Sequence, residues 1–279
     1  MRIAFFATPA FTVEFLDYLK AHDLTPQLVV TGMDVPIGRK QIITAPEPKL
    51  WAQQENIPYV QPDKNLTELT DTLAQEDWDL FIVIAYGKIL PERLINLPKH
   101  GTINVHYSLL PKYRGASPVE HAILSGDTTT GVCIQHMVYA LDAGAIIKQQ
   151  EVEIQDTDTH IILRDKLNQI AKPLLLESIE ILTSGNRDFI IQDETQKSIT
   201  KKIKKTDGLI TQDEDGKILW QKYRAYFGWP GLYFMDEKNG QSIRVKIGTA
   251  HFEKGSFIID TVIPEGKNEM KYEDYKKWK

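Results

Sequence analysis

Two side chains in this 279-residue chain stand out by type and spacing: Asn104 and His106, an amide and an imidazole two residues apart. An amide N–H and an imidazole can donate hydrogen bonds to a developing negative charge, and an imidazole can also act as a base. Asn104 and His106 lie in residues 101–115, which read GTINVHYSLLPKYRG. Ile103 and Val105 alternate with them, the period of a strand with one apolar and one polar face. Pro111 breaks the alternation, and the chain turns away through Lys112, Tyr113, Arg114 and Gly115. A strand that ends with an amide and an imidazole on one face makes a small polar platform. Open α/β sheets bind ligands just beyond the carboxyl ends of their strands. An isolated Asn-x-His is equally an ordinary half-exposed strand, so the neighbouring residues decide.

The elements that must carry this strand are legible upstream. Residues 2–7 read as a buried first strand, with Thr8 as a helix N-cap and Pro9 at the first helical position. Phe11, Phe15, Leu16 and Leu19 mark the inner face of a helix ending near His22, and residues 27–31 (QLVVT) form the second strand. This order predicts a parallel sheet with a right-handed crossover. No Gly-x-Gly-x-x-Gly follows the first strand, which removes the main support for a nicotinamide dinucleotide site. Residues 32–48 form a long loop with three prolines and the basic pair Arg39 and Lys40, and long loops in compact domains usually carry function. Residues 47–54 and 65–76 read as helices and 57–60 as a short strand. Residues 80–85 (LFIVIA) are a continuous apolar run, as a central parallel strand requires. Tyr86, Gly87 and Lys88 follow at its carboxyl end.

Downstream, residues 118–124 start a helix, 130–135 and 152–154 read as strands, and 159–182 as a long helix that Pro173 kinks. Residues 1–182 are therefore expected to form one α/β domain, Rossmann-like, with helices on both faces of a mostly parallel sheet. Residues 183–207 are polar, contain Lys201, Lys202, Lys204 and Lys205, and read as a linker. In residues 208–279, a helix over 217–227 and strands over 232–235, 243–247 and 257–262 predict a small β-barrel. Trp220, Tyr223, Tyr226 and Phe227 fit the inner face of that helix.

Composition sets bounds. With 42% hydrophobic and 25% charged residues the chain has the make-up of a soluble globular protein. The net charge of −5 is uneven: residues 1–197 carry 17 Lys+Arg against 26 Asp+Glu, and residues 198–279 carry 16 against 12. A basic tail on an acidic body points to an anionic partner, nucleic acid being one candidate. The single Cys133 excludes an intramolecular disulfide and a Cys-based zinc site, and fits a reducing cytoplasm. His121, His136 and His160 lack metal-ligand spacing, so no metal is expected. No stretch approaches the roughly 20 apolar residues that span a bilayer, so no membrane partner is expected.

The ordered set Asn104, His106, Ser108-Leu109-Leu110-Pro111, Arg114-Gly115 and Leu141-Asp142-Ala143-Gly144 closely resembles the formyltransferase family that uses 10-formyltetrahydrofolate. The resemblance is strongest over residues 80–144 and weaker after 208. It implies catalytic roles for Asn104, His106 and Asp142, and folate contacts from Tyr86, Gly87 and Lys88 through their backbone and from Ser108, Leu109, Leu110 and Pro111. Two family positions depart: Ala7 stands where a Gly is usual, and Ala145 where an acid is common. Asp34, Pro36, Gly38 and Arg39 match a loop by which the tRNA-acting branch wedges into the acceptor end of tRNA. Trp229-Pro230 and residues 264–267 resemble that branch's oligonucleotide-binding-type second domain, but the segment between Thr249 and Phe257 is short for it, so one hairpin is expected to be missing or reduced. The resemblance thus implies formyl transfer to the α-amino group of methionyl initiator tRNA in translation initiation, by a cytoplasmic monomer. Arg39, Lys40, Lys201, Lys202, Lys204 and Lys205 are the expected tRNA contacts. A sugar-nucleotide N-formyltransferase shares the catalytic pattern. A glycinamide ribonucleotide formyltransferase would leave residues 208–279 unexplained. A non-catalytic RNA-binding protein on the same scaffold would not need the intact Asn104, His106 and Asp142.

In such a reaction negative charge develops on the formyl oxygen, and each preorganised donor aimed at it supplies about 3–4 kcal/mol. Asn104 can donate from its amide and His106 from its ring. Asp142 could hold the imidazole or accept the amine proton, and His106 could equally be that base.

Overall fold

The computed structural model describes residues 1–38, 40–63, 65–238 and 240–278. Its first strands and helices alternate: β1 (Ile3–Ala7), α1 (Val13–Ala21), β2 (Leu28–Val30), β3 (Val35–Ile37), β4 (Ile42–Thr44), α2 (Glu47–Gln54), β5 (Tyr59–Val60), α3 (Thr67–Leu73), β6 (Leu80–Ile84), α4 (Glu92–Ile95) and β7 (Thr102–His106). Then follow β8 (Arg114–Gly115), α5 (Pro118–Leu124), β9 (Thr129–His136), β10 (Ile146–Glu153) and α6 (His160–Thr183). Seven strands form one sheet in the order β10-β9-β7-β6-β1-β2-β5. β1 pairs in parallel with β2 and β6, β6 with β7, and β2 with β5, while β7 and β9 run antiparallel. This is the mostly parallel, helix-flanked sheet that the alternating elements predict.

Ala4, Phe6, Val30, Phe81 and Val83 on one face of the sheet cluster with Leu66, Leu69, Leu73 and Leu94. Phe5, Ile82 and Ile84, which point the other way, are fully buried too. A strand covered on both sides needs a continuous apolar run, and β1 and β6 have one. The order of strands reverses between β1 and β6, so their carboxyl ends open a crevice where such folds bind ligands.

Two local expectations fail. Thr8 does not cap α1: it lies one residue before Pro9, the N-cap of the turn that starts the helix, and its hydroxyl donates to the Tyr86 carbonyl at 3.1 Å. A 3-10 turn over Ala10–Thr12 starts the helix instead. Residues 32–48 are not an irregular loop, since β3 and β4 pair as an antiparallel hairpin.

The described chain divides into two compact units. The first comprises Met1–Arg114, Gly131–Gln150 and Asn168–Lys197; the second Gly115–Thr130, Glu151–Leu167 and Ser198–Lys279. Within the second unit lie β11 (Ile199–Thr200), α7 (Gly216–Ala225), β12 (Tyr233–Lys238), β13 (Gln241–Ile247), β14 (Ala250–Glu253), β15 (Ser256–Ile259), β16 (Thr261–Pro264), β17 (Met270–Lys271) and α8 (Tyr272–Trp278). Strands β12-β13-β16-β17 form a four-stranded sheet, and β14-β15 a separate hairpin. The single strand expected over residues 257–262 breaks at Asp260, so its halves join different sheets. The short segment after Thr249 holds the β14–β15 hairpin. Asp215 caps α7, accepting from the Lys217 and Ile218 amides. Tyr223 and Tyr226 are buried, while Phe227 is exposed.

Candidate active site

β7 delivers Asn104 and His106 to the carboxyl edge of the sheet, beside the end of β6: Val83 pairs with Asn104. On the other side, antiparallel β9 sets Gln135 opposite Asn104 and Cys133 opposite His106. Directly opposed residues share a face, so Asn104 and Gln135 both present amides to the same space. The turn after β9 brings Asp142 back over them. Gln135 Nε2 donates to Asp142 Oδ1 at 2.9 Å, and Asn104 Nδ2 approaches the same oxygen at 3.5 Å. His106 Nδ1 lies 3.7 Å from Asp142 Oδ2. The His106 and Asp142 side chains are only 6% and 12% exposed, which strengthens their mutual electrostatics over what water would allow. The three residues singled out from the sequence therefore converge, and Gln135 joins them.

His106 Nε2 lies 2.9 Å from the carbonyl oxygen of Tyr113. A carbonyl oxygen only accepts, so Nε2 carries the hydrogen; this assigns the tautomer from its partner. Nδ1 is then the nitrogen that faces Asp142 and can gain or release a proton.

Two backbone features shape the site. Asp142 sits in the left-handed region at φ 46°, a conformation a non-glycine residue keeps only when its surroundings hold it. Gly144 packs so closely on the His136 carbonyl that a Cβ there would collide with it. Ala145, at the position where the family resemblance has an acid, contributes its carbonyl to the His136 amide at 2.8 Å.

The residues expected to meet a folate lie along the same edge. Tyr86 turns its ring inward, edge-on to Phe6, and burial pushes its hydroxyl up to about 12. Lys88 spends its ammonium on the Pro62 and Asp63 carbonyls. That leaves backbone at this turn, where Gly87 has open space around it, and a flat ring could approach. Ser108 is buried and donates to the Lys112 carbonyl at 2.6 Å. Leu110 donates its amide to Cys133 Sγ at 3.3 Å, and burial pushes that thiol up to about 12. Leu109 is half-buried; Pro111 follows a cis peptide bond with Leu110.

Of the basic residues expected at tRNA, Arg39 lies outside the described residues. Lys40, Lys201, Lys202, Lys204 and Lys205 are exposed. Among the described residues no helix is long and apolar enough to cross a membrane.

Sequence reasoning misses Gln135 and Gln192. Gln135 is one polar residue in the buried run of β9, and only the β7–β9 register reveals what it faces. Gln192 falls in the polar segment read as linker, yet it is 7% exposed and reaches back to the Asp142 turn.

Residues 1–179 match the family described as formyl transferase, which makes the chain an enzyme of formyl transfer; an amide, an imidazole and a carboxylate at the carboxyl edge of a switch-point sheet have the donors and the base that such acyl transfer can use. The chain is 39% identical over 241 residues to the methionyl-tRNA formyltransferase of Staphylococcus aureus strain JH1, spanning 85% of this chain and 77% of that relative. It belongs to the methionyl-tRNA formyltransferase family. Among solved structures, the methionyl-tRNA formyltransferase from Clostridium thermocellum superposes with a TM-score of 0.64 at 17% identity, over 95% of this chain and 98% of that one. An N-formyltransferase from Helicobacter canadensis, in complex with folinic acid and dTDP-3-aminofucose, gives 0.65 at 19% identity, over 93% and 95%. At such identities these two likenesses are of fold.

Proposed function

We propose that this protein transfers the formyl group of 10-formyltetrahydrofolate to the α-amino group of methionyl initiator tRNA, in the cytoplasm where translation begins. The observation that carries the reading is the convergence of Asn104, His106 and Asp142 at the end of β7, in a chain closely related to a methionyl-tRNA formyltransferase along 85% of its length. The amine nitrogen attacks the formyl carbon, forming the new C–N bond as the bond to folate N10 breaks. Asn104 Nδ2 stabilises the charge on the formyl oxygen. His106 Nδ1 and Asp142 share the proton that leaves the amine, and N10 takes up a proton in exchange.

Residues 1–182 carry the chemistry in this reading. The exposed lysines of residues 183–207 and the basic residues 208–279 meet the phosphates, together with Arg39 and Lys40. Folate contacts come from the backbone of residues 86–88 and from residues 108–111.

The test offers labelled 10-formyltetrahydrofolate with methionyl initiator tRNA and, separately, with dTDP-amino sugars. Rapid transfer to the tRNA is expected, with none to the sugars. Transfer to a sugar alone would keep the mechanism and overturn the acceptor.

A further inference from the structure

We propose that Gln192 is a positioning residue for Asp142, and that Arg114 locks it in the working orientation. This deepens the proposed formyl transfer and rests on it. The Nε2 of Gln192 donates to two carbonyls of the Asp142 turn: Asp142 O at 2.8 Å and Gly144 O at 2.7 Å. Its Oε1 accepts from Arg114 Nε at 3.0 Å and Nη2 at 2.8 Å. Arg114, 5% exposed, also holds Glu194 through Nη2 at 2.6 Å and Nη1 at 3.2 Å.

A primary amide has two hydrogens to give and one oxygen to accept with, and here each is used. Turning the amide over would set its oxygen against two carbonyls and its NH2 against a guanidinium, so the network admits one orientation. One of the two carbonyls belongs to the residue held at φ 46°, and the other follows two residues on. Gly144, the second anchor, is wedged against the His136 carbonyl. Pinning both peptides stops the turn from relaxing towards an ordinary backbone, and so keeps the carboxylate on His106, Asn104 and Gln135. Gln192 bonds to the backbone of the turn and not to its carboxylate, so its effect on the reaction runs through Asp142. Arg114 of the YRG turn acts at one further remove. It does not reach the reacting atoms but ties the turn after β7 to the one after β9.

A double-mutant cycle on kcat under saturating tRNA and folate tests this. Gln192→Ala should lower kcat roughly 10- to 100-fold, since a carboxylate misplaced by about 1 Å costs on that order. Both KM values should stay within about twofold. In a D142N background the same Gln192→Ala should change kcat by less than about twofold, because the group it positions is already lost. Gln192→Met, which keeps the volume but no donor or acceptor, should repeat both results, and it takes over the cycle if Gln192→Ala loses cooperative melting. Equal losses in the two backgrounds, a loss confined to KM, no loss, or failure of both variants to fold would each overturn the proposal. The wild-type rate separates the two claims. No transfer to methionyl initiator tRNA by the wild type would sink the proposed acceptor. A normal wild-type rate with an additive cycle would sink only the role of Gln192.

Discussion

The end of β7 and the β3–β4 hairpin are opposites within one compact unit. At the end of β7 the polar side chains are buried and held: Asp142 meets Gln135, His106 and Asn104, and its turn is tied down by Gln192. On the hairpin the apolar side chains are out in solvent, with Val35 48%, Ile37 55%, Ile42 61% and Ile43 66% exposed. Burying polar groups and exposing apolar ones both work against folding. A chain that does each in one place has set these regions apart from its core. In the proposed function the group at the end of β7 is organised before any substrate arrives, which is how electrostatic preorganisation lowers a barrier. In the proposed function the exposed hairpin leaves its contacts to tRNA.

The contrast is broken most directly by removing the chemistry without touching the hairpin. Asn104→Ala should lower the rate of formyl transfer at least about a hundredfold with tRNA affinity little changed. Matched rate and affinity losses would mean that β7 holds the acceptor rather than the transition state. Gly144→Ala comes next. Its Cβ would meet the His136 carbonyl, and overpacking of this kind costs about 1–3 kcal/mol. Denaturant melts should register that loss together with reduced kcat, and an unchanged melt would show that the turn has room to shift.

The hairpin supplies the converse. Ile42→Ser with Ile43→Ser should leave stability within about 0.5 kcal/mol, since neither side chain is buried. It should raise KM for tRNA while sparing a small-amine acceptor. Equal damage to both acceptors would place the hairpin in folding or folate binding.

The smallest effect concerns pH. Burial lifts the Cys133 thiol from 9.0 to about 12, so an unfolded chain ionises it while the folded one keeps it neutral. Its contribution to stability is whole below about pH 9 and drains away as pH rises from there to about 12. Cys133→Ala should flatten that alkaline limb in urea midpoints taken across the window; a parallel fall in the variant would assign the limb to other groups, Tyr86 among them.

How much of this is legible in the sequence depends on distance along the chain. β1, β6 and β7 declare themselves through short local patterns, and α3 falls where the spacing of Leu66, Leu69 and Leu73 puts it. Asn104, His106 and Asp142 stand out because the first two share a motif and the third has a recognisable Leu-Asp-x-Gly setting. Only the end of β10 reads as a strand, although it runs over Ile146–Glu153: its polar KQQE stretch is largely exposed, and such a strand has no apolar period to betray it. Gln135 needs the register between two strands, which alternation within one strand does not encode. Gln192 lies 50 residues from the turn it holds, in a stretch whose polarity reads as solvent-facing. α8 gives no such signal, since Tyr272–Trp278 buries only Tyr275 and carries otherwise charged and amphipathic residues.

If the site at the end of β7 carries out the chemistry of formyl transfer to methionyl initiator tRNA and leaves recognition of that tRNA to other surfaces, rate and affinity must come apart in one variant. Single-turnover transfer of labelled formyl by the wild type and by Asp142→Ala, with tRNA affinity measured on the same preparations, puts that to the test. Transfer by Asp142→Ala should be at least about a hundredfold slower, with affinity within about twofold of the wild type. Transfer at the wild-type rate, or a loss of rate matched by a loss of affinity, would contradict this division of labour.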